Sequence, residues 1–196
     1  MTVEYKTPEE VAEILRAALE ERLHEVRISE WAEGASKQKS HQLWVRIDRR
    51  SLRAAIRRII DIQFPHFCVI SGVDVGDAVE LLYHMYVFHG MRHKELLVTF
   101  TVSLPKTDPT VESISDLIPG ALISEREKQE MLGVQVLNIP DGRRMFLPND
   151  FPEGVFPWRK DETGIPDEMV KNLWQTGRQP AASADEASTE TQEKTP

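Results

Sequence analysis

The sequence has almost none of the thiols that metal clusters use. Its 196 residues include a single cysteine, Cys68. One thiol cannot form a disulfide within the chain, and an iron–sulfur cluster usually takes four thiolates. We therefore expect the chain to hold no cluster of its own. Cys68 lies in the apolar run Phe67–Ile70, which is typical of a buried, inert thiol rather than a nucleophile.

Long apolar runs and a surplus of basic residues are also missing. No run of about 18 apolar residues occurs, so the sequence predicts no membrane-spanning helix. The N-terminal stretch MTVEYKTPEE is polar and unlike a signal peptide, which favours the cytoplasm. The formal net charge is −8. An acidic chain does not offer the broad basic face that nucleic acids require.

The N-terminal part predicts two helices and one strand. Residues 7–10 form a capping box with proline at the first helical position, and apolar residues at helical spacing extend this helix to Val26. Leu43–Ile47 predicts a strand, and Asp48 is a candidate N-cap for a helix that reaches Ile60. The exposed side of that helix is either a solvated face, a docking face for an acidic protein, or a nucleic-acid site. Its arginines are Arg49, Arg50, Arg53, Arg57 and Arg58.

Three more strands follow without helices between them. They are Phe67–Val73, Val79–Phe88 and Glu95–Ser103. The polar turn 89–94 joins the last two, which predicts an antiparallel hairpin. This order favours an α+β fold over residues 1–116, with a mixed, largely antiparallel sheet covered by helices.

The C-terminal part has a different character. We predict an extended arm over 117–170 that contains one short helix, Ser124–Leu132, stopped by Gly133. Prolines are frequent between 140 and 166, and helical or strand periodicity is nearly absent. Because this stretch is too aromatic for a disordered linker, we expect it to become ordered by lying on another protein. Residues 171–196 are polar and acidic, and predict a disordered tail.

Histidines give the sequence an alternative of another class, a free-standing metal-dependent enzyme. The candidates are His66, His84, His89 and His93, with His66 two residues from Cys68. Zinc ligands normally occur in tighter pairs, and no carboxylate cluster completes this set. Ordinary strand and turn histidines explain the pattern better, so we predict no catalytic, metal or cofactor-binding residue.

One stretch of short motifs is more specific. Ser113–Ala121 reads SISDLIPGA, and it leads into Glu125-Arg126-Glu127. MLGV, PDGRR, LPND and PWRKD follow between 131 and 161. In this order and spacing, the motifs closely resemble the 30 kDa subunit family of respiratory complex I (NADH dehydrogenase), with relatives in membrane-bound nickel–iron hydrogenases. Differences at Ile123, Glu130, Ile139 and Trp158 indicate a divergent branch.

The resemblance implies a structural subunit without cofactors. Nickel–iron and iron–sulfur clusters are expected in partner subunits, namely a hydrogenase-like large subunit and iron–sulfur subunits. The chain is expected to lie on the cytoplasmic side of the membrane and to reach the membrane arm of the assembly only through partner subunits. No nucleic-acid partner is expected. The arm is expected to wrap the large subunit, with arginines paired to carboxylates and aromatics as apolar anchors. The predicted partner-binding residues are Glu125, Arg126, Glu127, Arg143, Arg144, Phe146, Phe151, Phe156, Trp158, Arg159 and Lys160.

Overall fold

A five-stranded sheet forms the body of the protein. The computed structural model describes residues 3–33 and 38–169, so the predicted tail at 171–196 lies outside it. In chain order the strands are β1 (Leu23–Glu33), β2 (Gln38–Ile47), β3 (His66–Asp74), β4 (Ala78–Val87) and β5 (Leu96–Pro105). Their order in the sheet is β1-β2-β5-β4-β3. Only β2 and β5 run parallel, which confirms the predicted mixed, largely antiparallel sheet and the hairpin of β4 and β5.

Three helices share one hydrophobic core with the sheet. They are α1 (Pro8–Leu19), α2 (Leu52–Ile62) and α3 (Ala121–Leu132). Along β4, every second side chain from Val79 to Val87 is buried in this core, while those between are half-exposed. The helices therefore cover one face of the sheet and leave the other open. A two-stranded parallel sheet of β6 (Thr110–Glu112) and β7 (Gln135–Leu137) lies beside α3.

The first helix is shorter than its periodicity predicts. The capping box at Thr7 is present, but α1 ends at Leu19 and Glu20 adopts φ 50°. Val26, expected on the helix, belongs to β1 and pairs with Val45. A short apolar repeat fits both structures, and pairing with β2 decides between them. The helix beginning near Asp48 is confirmed, because the Asp48 carboxylate accepts the Arg50 N–H at 2.7 Å.

Helix α3 approaches β3 closely at a glycine. A Cβ atom placed on Gly72 would lie 2.3 Å from Leu132 Cδ1 and 3.2 Å from Lys128 Cδ. Leu132 is fully buried, so it cannot move aside freely. This contact fixes the distance between α3 and the sheet. Helix α3 in turn carries the part of the predicted arm that follows β7, residues 138–169, which we call the arm below.

Gly72→Ala is expected to lower the free energy of unfolding by about 1–3 kcal/mol through overpacking. Gly120→Ala is the matched control. Gly120 has φ −63°, and its added Cβ would meet Phe67 at an ordinary 3.8 Å. Urea unfolding of the full chain measures both variants. Equal stability of the two would contradict the proposed close contact.

Candidate partner-binding surface

The buried carboxylate of Glu125 organises the loop that precedes α3. It accepts hydrogen bonds from the Ser113 hydroxyl and the Ile114 N–H, both at 2.7 Å. Burial raises the pKa of Glu125, although these two hydrogen bonds oppose the increase. The side chain is only 1% exposed. Its role is therefore to satisfy backbone and hydroxyl groups of a loop without regular structure.

The arginines of α2 and the turn before it are largely used within the chain. Arg53 makes a bidentate pair with Asp116 at 2.6 Å for both bonds, and its hydrogen bond lowers the pKa of Asp116. Arg49 pairs with Asp108, and Arg58 with Asp61. These ion pairs neutralise much of the basic face that nucleic acid or an acidic protein would need.

Glu130 fixes the first part of the arm to α3. Its carboxylate accepts three consecutive backbone N–H groups, from Met145 at 2.6 Å and from Phe146 and Leu147 at 2.8 Å. Charge-assisted bonds of this kind are about twice as strong as neutral ones. Three neighbouring amides on one carboxylate hold the backbone of 145–147 in a single path across the helix.

Arg126 holds the stretch just before that point. Its Nε donates to the Arg143 carbonyl oxygen at 2.8 Å. Arg143 bonds Asp141 through two side-chain contacts of 2.8 Å, and these bonds hold the pKa of Asp141 well below its usual range. Further along, Arg144 donates to the carbonyl oxygens of Pro148 and Phe151. These arginines thus close turns of the arm itself.

A second attachment lies at the C-terminal end of α3. The Trp158 N–H donates to the Met131 carbonyl at 2.9 Å, and Arg159 Nε donates to the Leu132 carbonyl at 2.6 Å. Carbonyl groups at this end of a helix have no hydrogen-bond donor within the helix, and here the arm supplies the donors. Lys128 Nζ lies 4.6 Å from the centre of the Trp158 ring, a cation–π contact.

Gly133 makes this attachment possible. It ends α3 with φ 64°, which favours glycine, and a Cβ atom there would lie 2.6 Å from the Phe156 ring. The ring therefore packs directly on the backbone at the end of the helix. The predicted helix stop at Gly133 is confirmed, and the aromatic ring is a second reason for glycine at this position.

A third attachment, an ionic clasp around the buried carboxylate of Asp74, joins the arm to the sheet. Lys106 Nζ contacts the carboxylates of Asp74, at 2.8 Å, and of Asp161. Asp74 also accepts the Lys160 N–H at 2.8 Å and the Gly76 N–H at 3.0 Å. Burial opposes ionisation of Asp74, but its hydrogen bonds lower the pKa to about 2. The clasp is therefore fully ionised at neutral pH.

The outer side of the arm remains exposed. Met145, Phe146 and Trp158 are 43%, 44% and 42% exposed, large values for apolar side chains of this size. The Arg143 side chain is 84% exposed, and Lys160, two residues after Trp158, is exposed as well. We call these five residues the arm surface. It combines exposed apolar side chains with cations, and aromatic residues, methionine and arginine are enriched in protein interfaces.

The structure divides the predicted partner-binding residues into two groups. Glu125 is buried and holds a loop of its own chain, so its side chain does not lie on the exposed surface. Arg126, Arg144 and Arg159 also direct their guanidinium groups to carbonyl oxygens within the chain. Phe151 and Phe156 are half-buried, and Glu127 contacts Lys128. The remaining four, Arg143, Phe146, Trp158 and Lys160, lie on the arm surface.

That the arm lies on another protein stays a prediction. The structure adds that its inner side lies on α3 and on the clasp of the same chain, while its outer side is exposed. The stretch has no hydrophobic core of its own because it packs against α3. The residues that attach it were missed in the sequence, and they are Asp74, Lys106, Lys128 and Glu130. The sequence held a signal for Lys128 alone, which shares one stripe of a helix with Glu125 and Leu132.

The metal-site alternative finds no support in the described ranges. No group of three or more His, Cys, Asp or Glu side chains there is arranged to hold a metal ion. His84 bonds the hydroxyls of Thr99 and Ser71, at 3.0 and 3.1 Å, on the open face of the sheet. His66 and His89 have ring centres 6.3 Å apart, and Cys68 is exposed rather than buried as predicted.

Glu130→Gln is expected to loosen the first attachment. The amide nitrogen of Gln cannot accept a hydrogen bond, so at least one arm N–H loses its acceptor, at a cost of about 2 kcal/mol. Amide hydrogen exchange at 145–147 should become about thirtyfold faster, while the strands stay protected. Glu127→Gln on the same helix is the control. Unchanged exchange in the Glu130 variant would refute the attachment.

The clasp predicts a specific pH dependence. Because the folded pKa of Asp74 is lowered to about 2, its stabilisation is complete above the unfolded pKa near 4 and is lost as the pH falls towards 2. Asp74→Asn should therefore cost about 2 kcal/mol at pH 7 and progressively less below pH 4. Urea unfolding across pH 7 to 3 measures this, with the exposed Asp150→Asn as control. A pH-independent difference from the wild type would contradict the ionic clasp.

Known proteins share the sequence around this surface. The family model described as "Respiratory-chain NADH dehydrogenase, 30 Kd subunit" matches residues 45–168. The membrane-bound hydrogenase subunit beta of Pyrococcus furiosus is 38% identical over 132 residues, which is 67% of this chain and 76% of that protein. A subunit of the F(420)H(2) dehydrogenase of Methanosarcina mazei is 34% identical over 57% of this chain and 69% of that protein.

The fold is also found in a solved respiratory complex. A chain of the membrane-bound sulfane sulfur reductase, an archaeal respiratory membrane complex, aligns over 90% of this chain and 96% of its own length. The TM-score is 0.66 and the identity 19%, so this likeness concerns the fold alone. Across the described ranges, no helix has the length and apolar character needed to cross a bilayer. The chain belongs to the 30 kDa subunit family of respiratory-chain NADH dehydrogenase, and is a subunit of a complex I-like assembly.

Proposed function

We propose that this chain is a non-catalytic structural subunit in the peripheral arm of a membrane-bound, complex I-like, redox-driven ion pump, where it scaffolds the catalytic large subunit. The observation that carries the proposal is the arm surface. Met145, Phe146 and Trp158 stay exposed although the polar backbone beneath them is bonded to the chain's own helix. Exposed apolar side chains grouped on one segment mark a site of protein contact.

The attachments explain how such an arm can bind. A free, proline-rich segment loses conformational entropy when it binds, which weakens the complex. Here Glu130 and Gly133 hold the segment at two points, so its side chains are already in place. Phe146 and Trp158 then enter pockets of the large subunit, and Arg143 pairs with carboxylates at the rim of the interface.

We further propose that the complex is a ferredoxin-linked, membrane-bound nickel–iron hydrogenase. The 38% identity with a membrane-bound hydrogenase subunit beta supports this choice. In this proposal the nickel–iron and iron–sulfur centres are held by the large subunit and by iron–sulfur subunits, on the cytoplasmic side of the membrane. The alternative is the 30 kDa-type subunit of an NADH/quinone-type oxidoreductase or of another ferredoxin-linked respiratory complex. It is supported by the likeness to an F(420)H(2) dehydrogenase.

Purification of the tagged full chain from native membranes in mild detergent tests both statements. We expect a large subunit to co-purify, with nickel bound in the recovered complex. A large subunit without nickel would refute the hydrogenase and leave the scaffold in place. A chain recovered alone would refute the scaffold.

Phe146→Ala tests the arm surface within that experiment. Loss of a central aromatic anchor costs about 2 kcal/mol or more, so we expect about thirtyfold weaker binding of the large subunit. The control is Ile28→Ala on β1, where Ile28 is 36% exposed against 44% for Phe146. Equal binding by both variants, each with wild-type thermal stability, would show that the arm surface makes no such contact.

A further inference from the structure

The two edge strands of the sheet differ in their protection. Strand β1 carries Glu25, Arg27 and Glu30, which are exposed. Charged side chains on an edge strand hinder pairing with another chain. Strand β3 reads HFCVISGVD, and its one acidic residue, Asp74, is buried in the clasp with Lys106. Apart from the exposed His66 at its start, the strand has no charged side chain that faces solvent.

Strand β3 also exposes apolar side chains in a row. Val69 and Val73 are 39% and 43% exposed. Ser71 lies between them, and the three side chains point to the same face of the strand because they are two residues apart. Their partners on β4 include His84 and Glu80, which belong to the open face of the sheet. The row therefore lies on the face away from the helices. The register from Val69 to Asp74 is continuous, with its only irregularity between Phe67 and Val69.

The backbone of β3 is paired on one side only. β4 is its sole neighbour in the sheet among the described residues. Helix α3 contacts the inner face of the strand at Gly72, through Leu132 and Lys128. Backbone N–H and C=O groups along a free edge are the chemical complement of another extended strand.

We propose that β3 is the docking edge for an extended strand of a partner subunit. This rests on the proposed function, in that it assumes a partner subunit. The incoming strand has uncharged, mostly apolar side chains at alternate positions, because the row of Val69, Ser71 and Val73 offers no charge to pair with. Main-chain hydrogen bonds to β3 extend the sheet by one strand.

Charge and position favour a partner subunit over a second copy of this chain. Each copy has a net charge of −8, which opposes self-association. The edge is also continuous with the arm surface, because Asp74, the last residue of β3, accepts the N–H of Lys160. The arm surface and the free edge can therefore be contacted together by one partner.

Val69→Lys tests the proposal in the purified complex. A lysine on the edge strand should reduce recovery of the large subunit at least about tenfold, which corresponds to 1.4 kcal/mol. The matched control is Ile28→Lys on the other edge, with 36% exposure against 39% for Val69. Equal recovery by the two variants would overturn the proposal, as would a wild-type chain that forms a dimer which Val69→Lys abolishes.

Cys68 provides a test that needs no variant at the edge. It is the one cysteine of the chain and is exposed on β3. Maleimide should label it in the isolated full chain and about tenfold more slowly in the purified complex. Equal labelling rates would overturn the docking edge.

The experiments distinguish failure of the docking edge from failure of the proposed function. If the wild type recovers the large subunit and Phe146→Ala loses it while both β3 tests fail, only the docking edge is refuted. If the wild type recovers no large subunit, the proposed function itself fails.

Discussion

The irregular segments on either side of α3 depend on two carboxylates of that helix. Glu125 and Glu130 are five residues apart on α3 and therefore point to different sides of it. Each accepts backbone N–H groups from a segment that has no regular structure of its own, at Ile114 and at Met145–Leu147 respectively. Buried N–H groups without acceptors cost about 1–3 kcal/mol each. The helix thus supplies what a sheet or helix would otherwise supply to these segments.

This arrangement lets a segment without secondary structure keep a defined shape. Attachments at Glu130, at the end of α3 and at the clasp use the inward polar groups of the arm, while Met145, Phe146 and Trp158 stay exposed on its outer side. Apolar contacts alone are non-directional and would allow the arm to slide along the helix. Hydrogen bonds to particular carbonyl groups, such as the bond from Arg159 to the Leu132 carbonyl, fix the position of the arm along the helix instead.

Local signals in the sequence predicted much of the fold. The Asp48 cap, the hairpin of β4 and β5 and the stop at Gly133 depend on a few neighbouring residues, and the structure contains all of them. Elements decided by distant contacts were missed. Val26 fits a helical repeat but pairs with Val45 in β1, and the parallel pairing of β2 with β5 joins residues about 55 positions apart.

The role of the charged residues on α3 was hidden for the same reason. A helix that reads as ISEREKQEM is expected to be exposed, since Glu and Lys are rarely buried unless paired. Here the pairing comes from elsewhere in the chain, as the Trp158 ring lies over Lys128 and the Ser113 hydroxyl reaches Glu125. The burial and pairing of such charged residues can be recognised only from the tertiary structure. Their cost of burial is offset by attachment of the arm, and that attachment gives the subunit a fixed shape for its neighbours to bind.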